Sequence, residues 1–68
     1  MPTEIVFSAG ATVKVVADAG DVEAALSAGQ RTLDTSRFAG FRGEEAVAGE
    51  RVVVNVSAIA YATAIAAP

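Results

Sequence analysis

Arginine and phenylalanine side chains occur together in one short stretch, where Arg37 and Arg42 flank Phe38 and Phe41. Guanidinium groups pair with phosphates and aromatic rings stack on bases, so this combination is found in proteins that bind single-stranded nucleic acid. The alternative is solvent-facing arginines beside core phenylalanines. We prefer it because neighbouring acidic residues cancel the arginine charges. The net charge of -3 also disfavours nucleic acid as a partner.

Three glutamates, Glu44, Glu45 and Glu50, form the main acidic cluster. A hard cation such as Ca²⁺ needs roughly six to eight converging oxygen ligands, and an acid–base pair of carboxylates needs a cleft that shifts a pKa. A chain of 68 residues is barely large enough to form such a cleft. We therefore interpret the cluster as a solvated loop and predict no metal site.

The chain contains neither histidine nor cysteine. A serine or threonine nucleophile would therefore lack its usual activating base, and Lys14 is the one remaining candidate. The same absence removes thiolate metal sites and disulfides. We predict that the protein is not an enzyme and uses no cofactor.

Length and composition indicate one small domain, residues 1–68, that associates with itself. A chain of this size buries only about 60% of its unfolded surface, yet 53% of its residues are apolar. We therefore expect a homo-oligomer, in which a second copy covers the excess apolar surface. We also expect a cytoplasmic protein with no membrane contact, because no basic leader or bilayer-length apolar run is present. The usage of Ala, Val, Gly and Arg suggests a bacterial or phage source.

The stretch from Arg51 to Ile65 is the longest apolar run, and the rest of the chain is expected to pack around it. Its period of two is typical of a strand, and a tight turn is expected within residues 55–58. Thr3–Ser8 and Thr12–Ala17 alternate on either side of a glycine-containing turn, which predicts a hairpin. The predicted inner face of that hairpin consists of Ile5, Phe7, Val13 and Val15.

The spacing of apolar residues changes from alternation to a helical pattern at Asp18. Asp18 is a good N-cap for a helix, and Gly29 is the expected end of that helix. Apolar residues recur at helical spacing between them, and Leu26 is the largest. We therefore expect Leu26 to be buried.

The middle of the chain is interpreted as a short strand between two connections. Residues 34–36 form the first connection, and the acidic residues 43–50 form the second. The strand covers residues 37–42, with a bulge at Gly40. Ala46 and Val47 could instead extend the flanking strands into a longer hairpin.

The predicted fold is α+β: a small antiparallel sheet in the order β-β-α-β-β, with a possible fifth strand and one helix packed on one face. A helix over residues 58–67 is the alternative at the C-terminus, because alanine is the best helix former. The alternation of Ile59, Tyr61, Thr63 and Ile65 favours a strand there.

This pattern resembles small uncharacterised actinobacterial proteins of β-β-α-β-β layout. The segments that carry the resemblance are TEIVFS, GDVEAAL, GERVVVNV and AIAYATAI, whereas TLDTSRFAGFRGEEAV departs from it. The resemblance implies an α+β fold in a soluble bacterial protein and supplies no catalytic residues.

The final strand is the predicted interface. It lies near the chain end, so we expect it at a sheet edge, and residues 52–67 contain no charge that would protect such an edge. The candidate interface residues are Ile59, Tyr61, Thr63 and Ile65. We expect a self-associating binding or structural module, such as a phage or bacterial accessory protein that contacts another protein. A nucleic-acid-binding regulator that uses Arg37, Phe38, Phe41 and Arg42 on the strand 37–42 is the alternative.

Overall fold

The computed structural model describes the whole chain, residues 1–68, and contains five strands, one α-helix and one 3₁₀ turn. In chain order these elements are β1 (Thr3–Phe7), β2 (Thr12–Val15), α1 (Ala19–Ser27), β3 (Thr32–Arg42), β4 (Glu45–Asn55), the 3₁₀ turn (Val56–Ala58) and β5 (Ile59–Ala64). The strands form one antiparallel sheet in the order β4-β3-β2-β1-β5. The predicted α+β class and fifth strand are confirmed, and the alternative helix over residues 58–67 is wrong.

The β1–β2 hairpin forms as predicted. Gly10 occupies its turn with a φ of 100°, a conformation that other L-residues rarely adopt. Ile5 pairs with Val13 across the hairpin, and both Ile5 and Val15 are fully buried. Phe7 and Val13 are half-buried and pack against the same core. The predicted inner face of the hairpin is therefore confirmed.

The helix α1 has the predicted ends. Asp18 is its N-cap, and the Asp18 backbone N–H donates to the Asp21 carboxylate at 3.4 Å. A negative charge in the first turn is favoured by the helix dipole. Gly29 follows the helix with a φ of 67°, and this left-handed conformation terminates it.

The expectation that Leu26 is buried was wrong, because this side chain is 45% exposed. Val22 and Ala25, three residues apart on one face of α1, are buried instead. Successive helical residues lie about 100° apart around the axis. The face of α1 that contacts the sheet is narrow. It includes Val22 and Ala25, whereas Leu26 lies at the edge of this face and stays exposed.

The two predicted connections in the middle of the chain were wrong. Residues 34–36 lie inside β3, and most of residues 43–50 lie in β4. Asp34 and Ser36 are poor strand formers alone, but both pair with residues of β4, Asp34 with Val53 and Ser36 with Arg51. Tertiary pairing thus overrides local propensity. Only residues 43–44 form the turn, and the longer hairpin that Ala46 and Val47 suggested is confirmed.

The β3–β4 ladder is irregular where a bulge was predicted. The register shifts between Ser36 and Phe38 and again between Phe38 and Phe41. Gly40 lies in the second irregular segment with a φ of 105°. Such bulges bend a strand and increase its twist, so the end of this hairpin diverges from the rest of the sheet.

The sheet must curl, because its two edges are consecutive in sequence. β4 and β5 lie at opposite edges, yet only residues 56–58 separate them. The four Cα–Cα steps from Asn55 to Ile59 span at most about 15 Å, whereas a flat five-stranded sheet would hold its edges about 19 Å apart. The Ser8 N–H donates to the Ala58 carbonyl at 2.8 Å and attaches the 3₁₀ turn to the end of β1.

The core lies inside this curl. Its buried cluster contains residues from β1, β2, α1 and β4: Ile5, Val15, Val22 and Val54. Val54 comes from an edge strand three places from β1 in the sheet order, so its contact with this cluster requires the curl. The result is a curled, open sheet with α1 packed on its inner face.

Candidate functional site

The edge strand β5 is the first candidate surface. It pairs antiparallel with β1, from Thr3 opposite Ala64 to Val6 opposite Tyr61, and has no neighbour on its other side. The predicted edge position is therefore confirmed. An unpaired edge presents backbone N–H and C=O groups to any other strand that can approach.

The backbone of β5 shows which groups are free. The Ile65 N–H donates to the Pro2 carbonyl at 2.8 Å, so Ile65 directs its backbone toward β1. Hydrogen-bonding direction alternates along an antiparallel strand. Thr63 therefore also faces β1, whereas Ala62 and Ala64 direct their N–H and C=O groups away from the protein. The outward-directed groups belong to alanines, whose small side chains leave the backbone open to close approach.

The side chains of β5 do not follow a single alternation, contrary to the prediction that Ile59 and Tyr61 share a face. A bulge lies between Val6 and Phe7, where Val6 pairs with Tyr61 but Phe7 pairs with Ile59. The unpaired Ala60 reverses the alternation, because one extra residue turns every preceding side chain to the other face. Ile59 consequently packs against the core, whereas Tyr61 points outward and is 60% exposed.

Ala62 is the residue of β5 that lies beside the helix α1. Ala62 packs against the core and lines a shallow surface cavity together with Val22 and Leu26 of α1. The exposed side chains of Leu26 and Tyr61 therefore flank this edge on opposite faces of the sheet. Two of the four large apolar residues that remain exposed in the protein lie here.

The two edges of the sheet differ in their protection. β4 carries Glu45, Glu50 and Arg51, and its ladder with β3 is interrupted by bulges. Charges and bulges are the usual devices that keep an edge from pairing with other chains. β5 has no charged residue, and its nearest proline, Pro68, lies beyond the strand.

The arginine–phenylalanine stretch is the second candidate surface. β2 pairs with β3 only at Val15 opposite Arg37, so residues 38–48 pair only with one another and form an arm. The Phe38 and Phe41 rings lie in this arm with their centroids 4.9 Å apart in an edge-to-face arrangement. Both rings are half-buried, but they lie outside the main core cluster.

Acidic residues lie beside both arginines of this surface. The Arg37 Nε donates to Glu50 Oε1 at 2.6 Å, and Arg42 is directly opposite Glu45 across the hairpin. Because the phenylalanine rings pack on each other and the charges are balanced, the stretch presents neither a free stacking platform nor a positive surface. The structure brings all four predicted residues together, but in an arrangement that does not favour phosphate binding.

The acidic cluster is dispersed and exposed. Glu44 lies in the β3–β4 turn, whereas Glu45 and Glu50 lie on β4. Nowhere in the chain do three or more carboxylates come close enough to hold a metal ion.

A groove between the β1–β2 hairpin and β4 was missed by the sequence reasoning. It has a volume of about 490 Å³. Its apolar lining residues are Phe7, Val13, Val52, Val53, Val54 and Ala58. These strands are not neighbours in the sheet, and only the curl brings them together. Strand periodicity carries no signal for such a groove, because it does not report how far a sheet closes.

Comparison of the chain with protein-family models, curated proteins and solved structures gave no match. The resemblance to small actinobacterial proteins therefore stays a prediction. Neither α1 nor the 3₁₀ turn has the length and hydropathy that a bilayer-spanning helix requires.

Proposed function

We propose that the protein is a self-associating binding or structural module, an accessory protein of a bacterium or phage, whose copies join through β5. The observation that carries this proposal is an edge strand without any charged residue. A soluble protein with such an edge needs a specific partner that satisfies its free N–H and C=O groups. A second copy of the same chain supplies a strand of equal length and equal lack of charge.

Two further features support assembly at this edge. Tyr61 and Leu26 leave apolar surface exposed on both sides of β5. Tyrosine is enriched at protein interfaces because its ring contributes a large apolar area and its hydroxyl group tolerates a wet rim. The small size of the domain also favours assembly, since a chain this short gains stability by burying surface against a second copy.

The proposal assigns the protein a role in binding rather than catalysis. This part rests on the sequence, which offers no histidine or cysteine as a base, nucleophile or soft metal ligand.

The size of the untagged protein in solution tests the proposal. We expect light scattering coupled to size-exclusion chromatography to give a mass of two or more copies, with the fraction assembled rising with concentration. A monomer at high micromolar concentration would overturn the proposal. The same column run at high salt is informative, because an apolar strand–strand contact should persist where charge-driven association would weaken.

The alternative function, a nucleic-acid-binding regulator that uses Arg37, Phe38, Phe41 and Arg42, has less support. The Arg37–Glu50 ion pair and the mutual packing of the two rings oppose it. Salt-dependent retention of the protein on a single-stranded nucleic-acid column would favour this alternative.

A further inference from the structure

We propose that two copies pair through β5 in one register, antiparallel and centred on Thr63, so that their sheets join across a two-fold axis. This inference rests on the proposed function and specifies the geometry of the assembly. It is derived from the direction of the free backbone groups, the position of the bulge and the charges near the edge.

The free backbone groups restrict the possible registers. Each hydrogen-bonded pair in an antiparallel ladder must use residues whose N–H and C=O groups face the partner strand. In β5 these residues are Ala62 and Ala64. A two-fold axis can therefore place Ala62 opposite Ala62 of the second copy, Ala62 opposite Ala64, or Ala64 opposite Ala64. The last arrangement is excluded because it pairs Ala62 with Ala66, which lies beyond the end of β5. The second arrangement is centred on Thr63.

The bulge in β5 decides between these registers. With the axis at Ala62, Ala64 must pair with Ala60 of the second copy, yet Ala60 is the extra residue in the irregular part of β5. A bulged residue is left out of a regular ladder. With the axis at Thr63, the ladder runs from Tyr61 to Ile65 and avoids the bulge.

The register centred on Thr63 also matches the side chains. It places Tyr61 opposite Ile65 of the second copy, an aromatic residue against a β-branched one, and it places the two Thr63 side chains against each other. Both kinds of cross-strand pair are favourable in antiparallel sheets. Tyr61 is exposed and Ile65 is half-buried in the single chain, so both side chains can bury more accessible surface on association.

The charges nearest to the edge do not oppose this arrangement. Glu4 pairs with Thr63 in the β1–β5 ladder and with Lys14 in the β1–β2 ladder. Across the axis, the two Glu4 residues are three strand spacings apart, about 14 Å, which exceeds the screening length of about 8 Å at physiological salt. Each Glu4 also has its own lysine as a neighbour.

The pairing covers apolar surface on both faces of the sheet. Tyr61 lies on the outer face of β5, whereas Leu26 of α1 lies beside Ala62 on the inner face. A second copy that extends the sheet brings its own helix to the same inner side, so the two Leu26 side chains approach across the axis. The exposure of Leu26 in the single chain is thereby explained.

Cysteine cross-linking tests the register, because the natural chain contains no cysteine. In the proposed ladder the Thr63 pair is not hydrogen-bonded, and the Cα atoms of such a pair are about 4.5 Å apart, within the range for a disulfide. Thr63 is exposed in the single chain, and we expect the variant Thr63→Cys to give a covalent dimer under mild oxidation. Thr12→Cys is the matched control, because Thr12 is exposed on β2 on the same face of the sheet as Thr63. This variant should not cross-link.

A mixing experiment gives a second, independent measurement. Tyr61→Cys and Ile65→Cys should each fail to cross-link alone, whereas an equimolar mixture of the two should give a covalent heterodimer. A covalent heterodimer of Tyr61→Cys with Thr63→Cys, distinguished by mass from the Thr63→Cys homodimer, would instead place the axis at Ala62 and overturn the register. A natural protein that is dimeric by light scattering, with no cross-link in Thr63→Cys, would also overturn the register but leave the proposed function standing. A monomeric natural protein would overturn both.

Discussion

Replacement of Tyr61 by alanine should weaken assembly far more than it weakens the single domain. An aromatic side chain presents roughly 200 Å² of surface in all, and Tyr61 is 60% exposed, which leaves about 120 Å² for a partner to cover. Burial of about two-thirds of this area at about 25 cal/mol per Å² stabilises the pair by about 2 kcal/mol per copy. Because both copies carry the change, the dissociation constant should rise roughly a thousand-fold, equivalent to about 4 kcal/mol.

The assay is sedimentation velocity or light scattering over a dilution series, combined with thermal unfolding of the variant at low concentration. Val53→Ala is the matched control, because Val53 is 63% exposed but lies on the charged edge strand β4. We expect Val53→Ala to leave the dissociation constant unchanged. Equal effects of the two substitutions would refute the assignment of the interface to β5. Unfolding of Tyr61→Ala as a diluted monomer would show that the side chain stabilises the fold itself.

Three further predictions concern the core, the edge and the arm. Val22→Asp should unfold the domain, since a buried unpaired charge costs several kcal/mol. Leu26→Asp should leave the diluted monomer folded, as measured by circular dichroism. Similar melting of the two variants would contradict the placement of the helix. Thr63→Lys should convert the assembly to monomers by light scattering, because charge protects an edge, and an unchanged mass would exclude this edge. Arg37→Glu combined with Arg42→Glu should shift the free energy of unfolding by at most about 1 kcal/mol, because exposed ion pairs contribute little; loss of the fold in denaturant titration would give these arginines a structural role.

The parts of the fold that depend on local chemistry could be predicted from the sequence. Gly10 between two alternating runs specifies a hairpin, and Asp18 and Gly29 specify the ends of α1. These signals arise from φ preferences and capping within a few residues. The edge position of β5 was also predicted correctly. Its lack of charge, which is a matter of residue type, predicted that this edge would be unprotected.

The parts that depend on distant partners could not be predicted. Residues 34–36 look like a connection until the apolar β4 run is placed opposite them. Ile59 shares a period with Tyr61 in the sequence, but a bulge set by the β1 register reverses its direction. Leu26 is the largest apolar residue of α1, yet the angle at which the helix meets the sheet decides which residues are buried.

The β1–β5 pairing has a consequence for the order in which the domain folds. It joins Thr3 to Ala64, so nearly the whole chain must be organised before this ladder can close, and loop-closure entropy opposes it. The β3–β4 hairpin closes across a turn of two residues and can form early. β5 is therefore expected to join the sheet last. Until it does, one side of β1 remains unpaired. During that interval β5 of another molecule can take the vacant place, so crowded refolding favours exchange of this strand between copies.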